Sequence, residues 1–232
     1  MLAALIVTIA VLFYLLKKQG INARRTLDNV LWTVLGGIVG SRLVYILFHV
    51  RHYINNWGEM GQFWQGGMNF FGMLIGAGIV LIGWLYIKKR QEIWQWLDSL
   101  AIAGSLGHAI GMMGALVVGS DYGKPASSST AFKIMDFPDL VWRYPTQIYE
   151  IVAALCAFII LGFLFQNRHW RNGKIIMLGL VFFGITRFVI EFFRTPDIIL
   201  IDKFTLAHLL NLIITMGGVI GLFWLKKSNI KK

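Results

Sequence analysis

Apolar positions in this chain run in long blocks, and polar residues gather in the short segments between them. Seven blocks read as membrane helices: 1–16, 27–48, 70–87, 98–118, 147–166, 174–194 and 205–225. A hydrocarbon core about 30 Å thick takes roughly 20 mostly apolar residues of helix, and the first block is the shortest of the set. Strand signals are absent, because the runs are long and lack period-two alternation. Nothing repeats at a fixed period, and so little chain remains that residues 1–232 are expected to form one polytopic membrane domain. The fold class predicted is an all-α bundle of about seven transmembrane helices with outward interfacial loops.

Small residues add packing detail. Gly36 and Gly40 are four apart, as are Gly72 and Gly76, which predicts faces where helix backbones approach closely. The same faces leave room for lipid chains as a second reading. The lone Cys156 lies within the fifth block, so no disulfide within one chain is expected. It reads as a packing residue.

Charge changes the picture from hydrophobic bundle to oriented bundle. The 232 residues are 57% hydrophobic and 14% charged, with a net charge of +11. That charge does not point to nucleic acid, because its distribution follows the blocks. Lys17, Lys18, Arg24 and Arg25 follow the first block, and Lys88, Lys89 and Arg90 the third. Arg168, Arg171 and Lys174 follow the fifth, and Lys226, Lys227, Lys231 and Lys232 the last. Basic clusters on alternate loops mark the cytoplasmic side, giving an outside N-terminus and a cytoplasmic C-terminus. The first block has no basic residue before it and no small-residue cleavage site, so it reads as a retained helix.

The two long outward segments hold aromatic and turn residues. Segment 49–69 carries His49, Arg51, His52, Tyr53, Trp57, Phe63 and Trp64, the make-up of a helix lying at headgroup level. Segment 119–146 opens on the turn cluster Gly119-Ser120-Asp121-Tyr122-Gly123-Lys124-Pro125 and continues as an amphiphilic stretch to Trp142.

Candidate chemistry sits where charge meets the apolar blocks. An ionisable side chain at membrane depth costs about 2.5–3.5 kcal/mol on insertion scales, so it marks a functional site by default. Arg187, Glu191 and Arg194 fall at spacings of four and seven, on one helix stripe. They read either as a self-neutralising Arg–Glu pair or as a stripe with one positive charge in excess, suited to a phosphodiester. Arg42 and Tyr45 end the second block and read either as a snorkelling cation with a belt aromatic or as part of a site. Asp98 reads as a helix-start residue. Arg143-Tyr144-Pro145-Thr146-Gln147-Ile148-Tyr149-Glu150 places a guanidinium, an amide, a phenol and a carboxylate at the head of the fifth block. No metal and no other cofactor is implied, since carboxylates and histidines do not cluster at ligand spacing.

Together, Arg42-Leu43-x-Tyr45, the Gly-Ser-Asp-Tyr-Gly turn, Arg143–Glu150 and Arg187-x-x-x-Glu191-Phe-Phe-Arg194-x-Pro196-Asp197 resemble the bacterial prolipoprotein diacylglyceryl transferase family. The similarity runs from about residue 28 to 213. The resemblance implies an inner-membrane enzyme that moves diacylglyceryl from phosphatidylglycerol to the lipobox cysteine thiol of a preprolipoprotein, releasing glycerol phosphate. Its partners would be those two substrates and membrane lipid, with no nucleic acid. By the resemblance, Arg187 and Glu191 are catalytic, Glu191 orienting Arg187. Arg42, Tyr45, Asp121, Gly123, Arg143, Gln147, Tyr149, Glu150 and Arg194 are substrate-binding, with Gln147, Tyr149 and Glu150 shaping an outer-leaflet mouth.

The chain departs from the family pattern at named places. The family's third-span histidine aligns with Phe71, and the arginine of its fourth-span signature with Met112. The asparagine after that signature aligns with Ala115, and the following acidic position with Ser120, beside Asp121. The family's segment before the first span has no counterpart. His108 lies one helical turn from Met112, in related space. These departures carry a second expectation, a catalytically impaired homologue that binds anionic lipid or a membrane partner.

Overall fold

The computed structural model describes residues 2–55, 57–62, 70–89, 92–126, 134–136, 141–167, 170, 172–195, 199–201 and 204–230. Phe63, Trp64, Pro196 and Asp197 lie outside the described residues, as do the side chains of Arg51, His52 and Phe71. Helices dominate: α1 (Leu2–Lys18), α2 (Ala23–Phe48), α3 (Val50–Asn55), α4 (Phe70–Lys89), α5 (Ile93–Val118), α6 (Thr146–Gln166), α7 (Lys174–Glu191) and α8 (Leu206–Ile230). Each apolar block has become a helix, because in an apolar medium only a helix satisfies its backbone within one segment.

Among the described residues, four helices are long and apolar enough to cross a membrane: Arg24–Phe48, Ile93–Val118, Thr146–Gln166 and Leu206–Lys227. Ile75–Ile87 is a shorter apolar helix. Helix α1 has 17 residues, and the 18 residues of α7 include Lys174, Arg187 and Glu191.

The expectation of a strand-free chain is corrected. Antiparallel hairpins pair β1 (Ile134–Asp136) with β2 (Val141–Arg143), and β3 (Ile199–Ile201) with β4 (Phe204–Thr205). Strands of two or three residues are too short to register as alternation.

The chain divides into two compact units. In the unit Leu16–Ile93, α2 packs on α4 through the glycine faces. A Cβ on Gly40 would lie 2.5 Å from Gly72 O and 2.8 Å from Gly76 Cα, so only hydrogen fits there. This is the close backbone approach that the four-residue spacing predicts. Segment 49–69 does contain a helix, α3, followed by the turn Trp57–Glu59.

The other unit, 1–15 with 94–232, centres on Leu15, Ile102, Leu161, Phe165 and Ile175, contributed by α1, α5, α6 and α7. Cys156 is exposed on α6, correcting its reading as a packing residue. Asp98 is corrected as well: it lies inside α5, buried, and caps a different helix. Its two carboxylate oxygens accept from Gly173 N and Ile176 N, each at 2.9 Å, at the start of α7. Gly173 holds φ 93°, a conformation glycine adopts without a Cβ penalty. Replacing Asp98 by alanine is expected to cost about 1–3 kcal/mol, because buried backbone donors lose their acceptor. Thermal unfolding in detergent reads this out, with Asp98→Asn expected to lose less; an unshifted midpoint for Asp98→Ala would show that the cap carries no stability.

Candidate arginine–carboxylate site

The site begins with the turn that enters α6. Pro145 sits at the helix N-cap position, and the next turn buries Thr146, Gln147 and Glu150. Thr146 Oγ1 donates to Asp121 O at 2.7 Å and Gln147 Nε2 to Ser120 O at 2.5 Å. Gln147 is thus a buried brace and not a side chain of an open mouth, which corrects its expected place. Gly123 N donates to Tyr144 O at 2.9 Å, and Lys124 N to Phe193 O at 2.8 Å. These backbone bonds stitch the 119–126 segment between β2 and the residues after α7. Gly123 is required there, since a Cβ would sit 2.9 Å from Tyr144 Cβ and Thr146 Cγ2. Arg143 is half-buried in β2, paired through its backbone with Ile134 and Pro125. The rings of Tyr144 and Tyr149 both pack edge-on against Phe193, with centroids at 5.3 and 5.8 Å.

Glu150 is the centre of the cluster. It is 2% exposed, and four residues beyond Thr146 it points from α6 toward α5 and α7. Its Oε2 lies 3.0 Å from His108 Nε2 on α5. Its Oε1 accepts from Arg194 Nη1 at 3.0 Å and from Arg187 Nη1. Arg194 Nη2 reaches Asp121 Oδ1 at 3.4 Å, and Asp121 holds φ 62°, a strained value for a non-glycine residue. Phe183 closes one side, 5.9 Å from the Arg187 guanidinium and 6.1 Å from the His108 ring.

The partner of Arg187 corrects the helix-stripe reading. Arg187 pairs with Glu150 on α6, not with Glu191 one turn along its own helix. A buried carboxylate on a neighbouring helix needs a cation more than a carboxylate at a helix end does. Glu191 instead accepts from Thr205 Oγ1 at 3.1 Å. Thr205 N donates in turn to His208 Nδ1 at 3.1 Å, and the His208 ring is walled by Phe188, Phe192 and Phe204.

Charge accounting then defines what the cluster can hold. Two guanidinium groups converge on one buried carboxylate, and the second acid, Asp121, is half exposed at 48%. A guanidinium has five N–H donors, and among the described residues Glu150 is the hydrogen-bond partner of Arg187. With its side chain 30% exposed, Arg187 keeps donors that can reach an anion. Planar forks of this kind match phosphate oxygens in geometry and charge.

His108 joins the Glu150 cluster from α5, a place that the sequence marks only loosely. Its one signal was an imidazole in an apolar block, a helical turn from Met112. Arg42 lies in the other unit and is corrected from a snorkelling cation to a buried one, 4% exposed. It donates from Nε to Met60 O at 3.1 Å and from Nη2 to Glu59 O at 2.7 Å, with Tyr45 and Tyr53 rings at 5.8 and 5.6 Å. Tyr45 also stacks on His49 at 4.2 Å.

Comparison with known proteins gives a consistent result. A family profile described as prolipoprotein diacylglyceryl transferase matches residues 1–224. A phosphatidylglycerol–prolipoprotein diacylglyceryl transferase of Finegoldia magna is 32% identical over 217 residues, 94% of this chain and 85% of the relative. The protein of that name from Hydrogenovibrio crunogenus is 34% identical over 219 residues, 90% of this chain and 80% of the relative. That from Thermotoga petrophila is 29% identical over 225 residues, covering 93% and 75%.

Proposed function

Because the chain belongs to the prolipoprotein diacylglyceryl transferase family, we propose that it transfers diacylglyceryl from phosphatidylglycerol to a prolipoprotein lipobox cysteine. The observation that carries this reading is the convergence of Arg187 and Arg194 on one buried carboxylate, Glu150. Glu150 holds both guanidinium groups in place, and their remaining donors bind the phosphodiester. As the cysteine sulfur attacks the glyceryl carbon, negative charge grows on the departing phosphate, and preorganised cations there lower the barrier. Asp121 and the 119–126 segment position Arg194, while Arg143 stands at the head of α6 to meet the headgroup. Glu191 fixes the Thr205–His208 contact behind the arginines.

The reading is tested with the purified chain in phosphatidylglycerol vesicles and a lipobox peptide. Mass spectrometry should find the peptide heavier by one diacylglyceryl group, and vesicles of phosphatidylcholine alone should give no product. Retention of phosphatidylglycerol without any product would favour the impaired homologue instead. That second reading is not favoured: the relatives carry the transferase name, and this chain aligns with 85% and 80% of their lengths.

The site belongs to one polytopic domain of about seven spans in a bacterial inner membrane, with the N-terminus outside and the C-terminus cytoplasmic. The basic clusters after alternate blocks support that orientation. It puts the 119–146 segment, the α6 head and the arginines at the outer leaflet, where a secreted precursor arrives. A cysteine introduced at Lys124 in a Cys156→Ser background should react with a membrane-impermeant maleimide in intact cells. Labelling only after the membrane is opened would reverse the topology.

A further inference from the structure

The transfer needs a base, because a cysteine thiol with a pKa near 8.5 is a weak nucleophile until it loses its proton. By the resemblance, the family's third-span histidine aligns with Phe71, a side chain that cannot accept a proton. A base that the protein itself supplies near neutral pH must therefore come from elsewhere in this chain.

We infer that His108 is the catalytic base that takes the cysteine proton, held in place by Glu150. This rests on the transferase reading and adds to it the residue that activates the nucleophile. Its Nε2 lies 3.0 Å from Glu150 Oε2, so the N–H on that nitrogen donates to the carboxylate. The proton thus placed leaves Nδ1 as the acceptor. Among the described residues Nδ1 meets no hydrogen-bond partner, and the side chain is 34% exposed, open to a substrate. Carboxylate, imidazole and nucleophile in that order is the arrangement by which enzymes orient a base and stabilise its protonated form.

Glu150 divides its two oxygens between two tasks. Oε2 holds the imidazole, and Oε1 holds Arg187 and Arg194. One carboxylate therefore sets the distance between the base for the thiol and the cations for the phosphate. The other described histidines do not offer this. His208 is 2% exposed and its Nδ1 accepts from Thr205 N. His49 lies in the Leu16–Ile93 unit with Nδ1 against Tyr45 O at 3.0 Å.

The thiol proton passes to His108 Nδ1, and the sulfur lone pair forms the S–C bond to the terminal glyceryl carbon. The C–O bond to phosphate breaks, its electron pair staying on the phosphate oxygen as glycerol phosphate leaves. The imidazolium then returns its proton to that phosphate. A thiol and a phosphodiester become a thioether and a phosphomonoester, with no oxidant or reductant. Among the described residues, the charged groups gathered with His108 are Glu150 from α6 and Arg187 and Arg194 from α7 and its end, with Asp121 on Arg194.

The test compares the parent chain, His108→Gln and His108→Ala in phosphatidylglycerol vesicles with the lipobox peptide, from pH 6 to 10. Glutamine still donates to Glu150, so the fold and the retention of phosphatidylglycerol should persist. Removing a general base should slow transfer by about 10²–10⁴-fold near neutral pH. The deficit should shrink as the pH rises through about 8.5 and the peptide thiol ionises unaided. Added imidazole should restore part of the His108→Ala rate. Equal rates for parent and variants near neutral pH would overturn the assignment and leave the transferase reading standing. So would a deficit that is constant with pH and accompanied by loss of phosphatidylglycerol, which marks a structural histidine. No product from the parent at any pH would remove the transferase reading, and this inference with it.

Discussion

Replacing Arg187 by alanine is expected to lower transfer by about 10²–10³-fold, the usual cost of losing one preorganised donor at a developing charge. The side chain sits where that cost is incurred: paired to a buried carboxylate through Nη1, with further donors open and its plane beside Phe183. Arg187→Lys should also fall well below the parent, because an ammonium offers a point charge and no fork. Both variants should retain less phosphatidylglycerol in native mass spectrometry. Parent-like rates and lipid retention in both would make Arg187 a structural cation and transfer its proposed role to Arg194.

Glu150→Leu is expected to be the most destabilising exchange of a charged residue in the unit 1–15 with 94–232. Glu150 is the shared partner of His108, Arg187 and Arg194. Without it, two guanidinium groups face each other with no buried counter-charge, and removing one partner of a buried pair costs about 3–5 kcal/mol. Glu150→Gln keeps the shape and one acceptor, so it should lose less stability while still abolishing the balance that holds both arginines. Thermal unfolding in detergent measures the difference. A second change, Arg194→Met, should return part of the stability lost in Glu150→Leu, since it removes one of the stranded cations. Additive losses in that double variant would show that the two groups act independently and that the cluster is not a unit.

Sequence and structure divide the explanation of this protein along a physical line. Hydropathy was enough to locate the long helices α1, α2 and α4 to α8, because a long apolar run can satisfy its backbone in an apolar medium only as a helix. The glycine spacing was enough to foresee two close-approach faces, because a small-residue face is a local property of one helix; that α2 and α4 meet through them is a matter of packing. Charge set in or beside apolar blocks was enough to mark Arg187, Glu191, Arg194 and the Arg143–Glu150 segment as chemically costly. The short hairpins were not legible, since two or three residues carry no periodicity. Neither was the real job of Asp98, whose oxygens cap a helix whose N-cap residue, Gly173, lies 75 residues later. The same limit applied to Arg187: helical spacing proposed Glu191, and the folded chain supplied Glu150 from α6. Spacing reports which side chains share a face of one helix. Which counter-charge a buried cation meets depends on what neighbouring helices bring within about 4 Å, and only packing decides that.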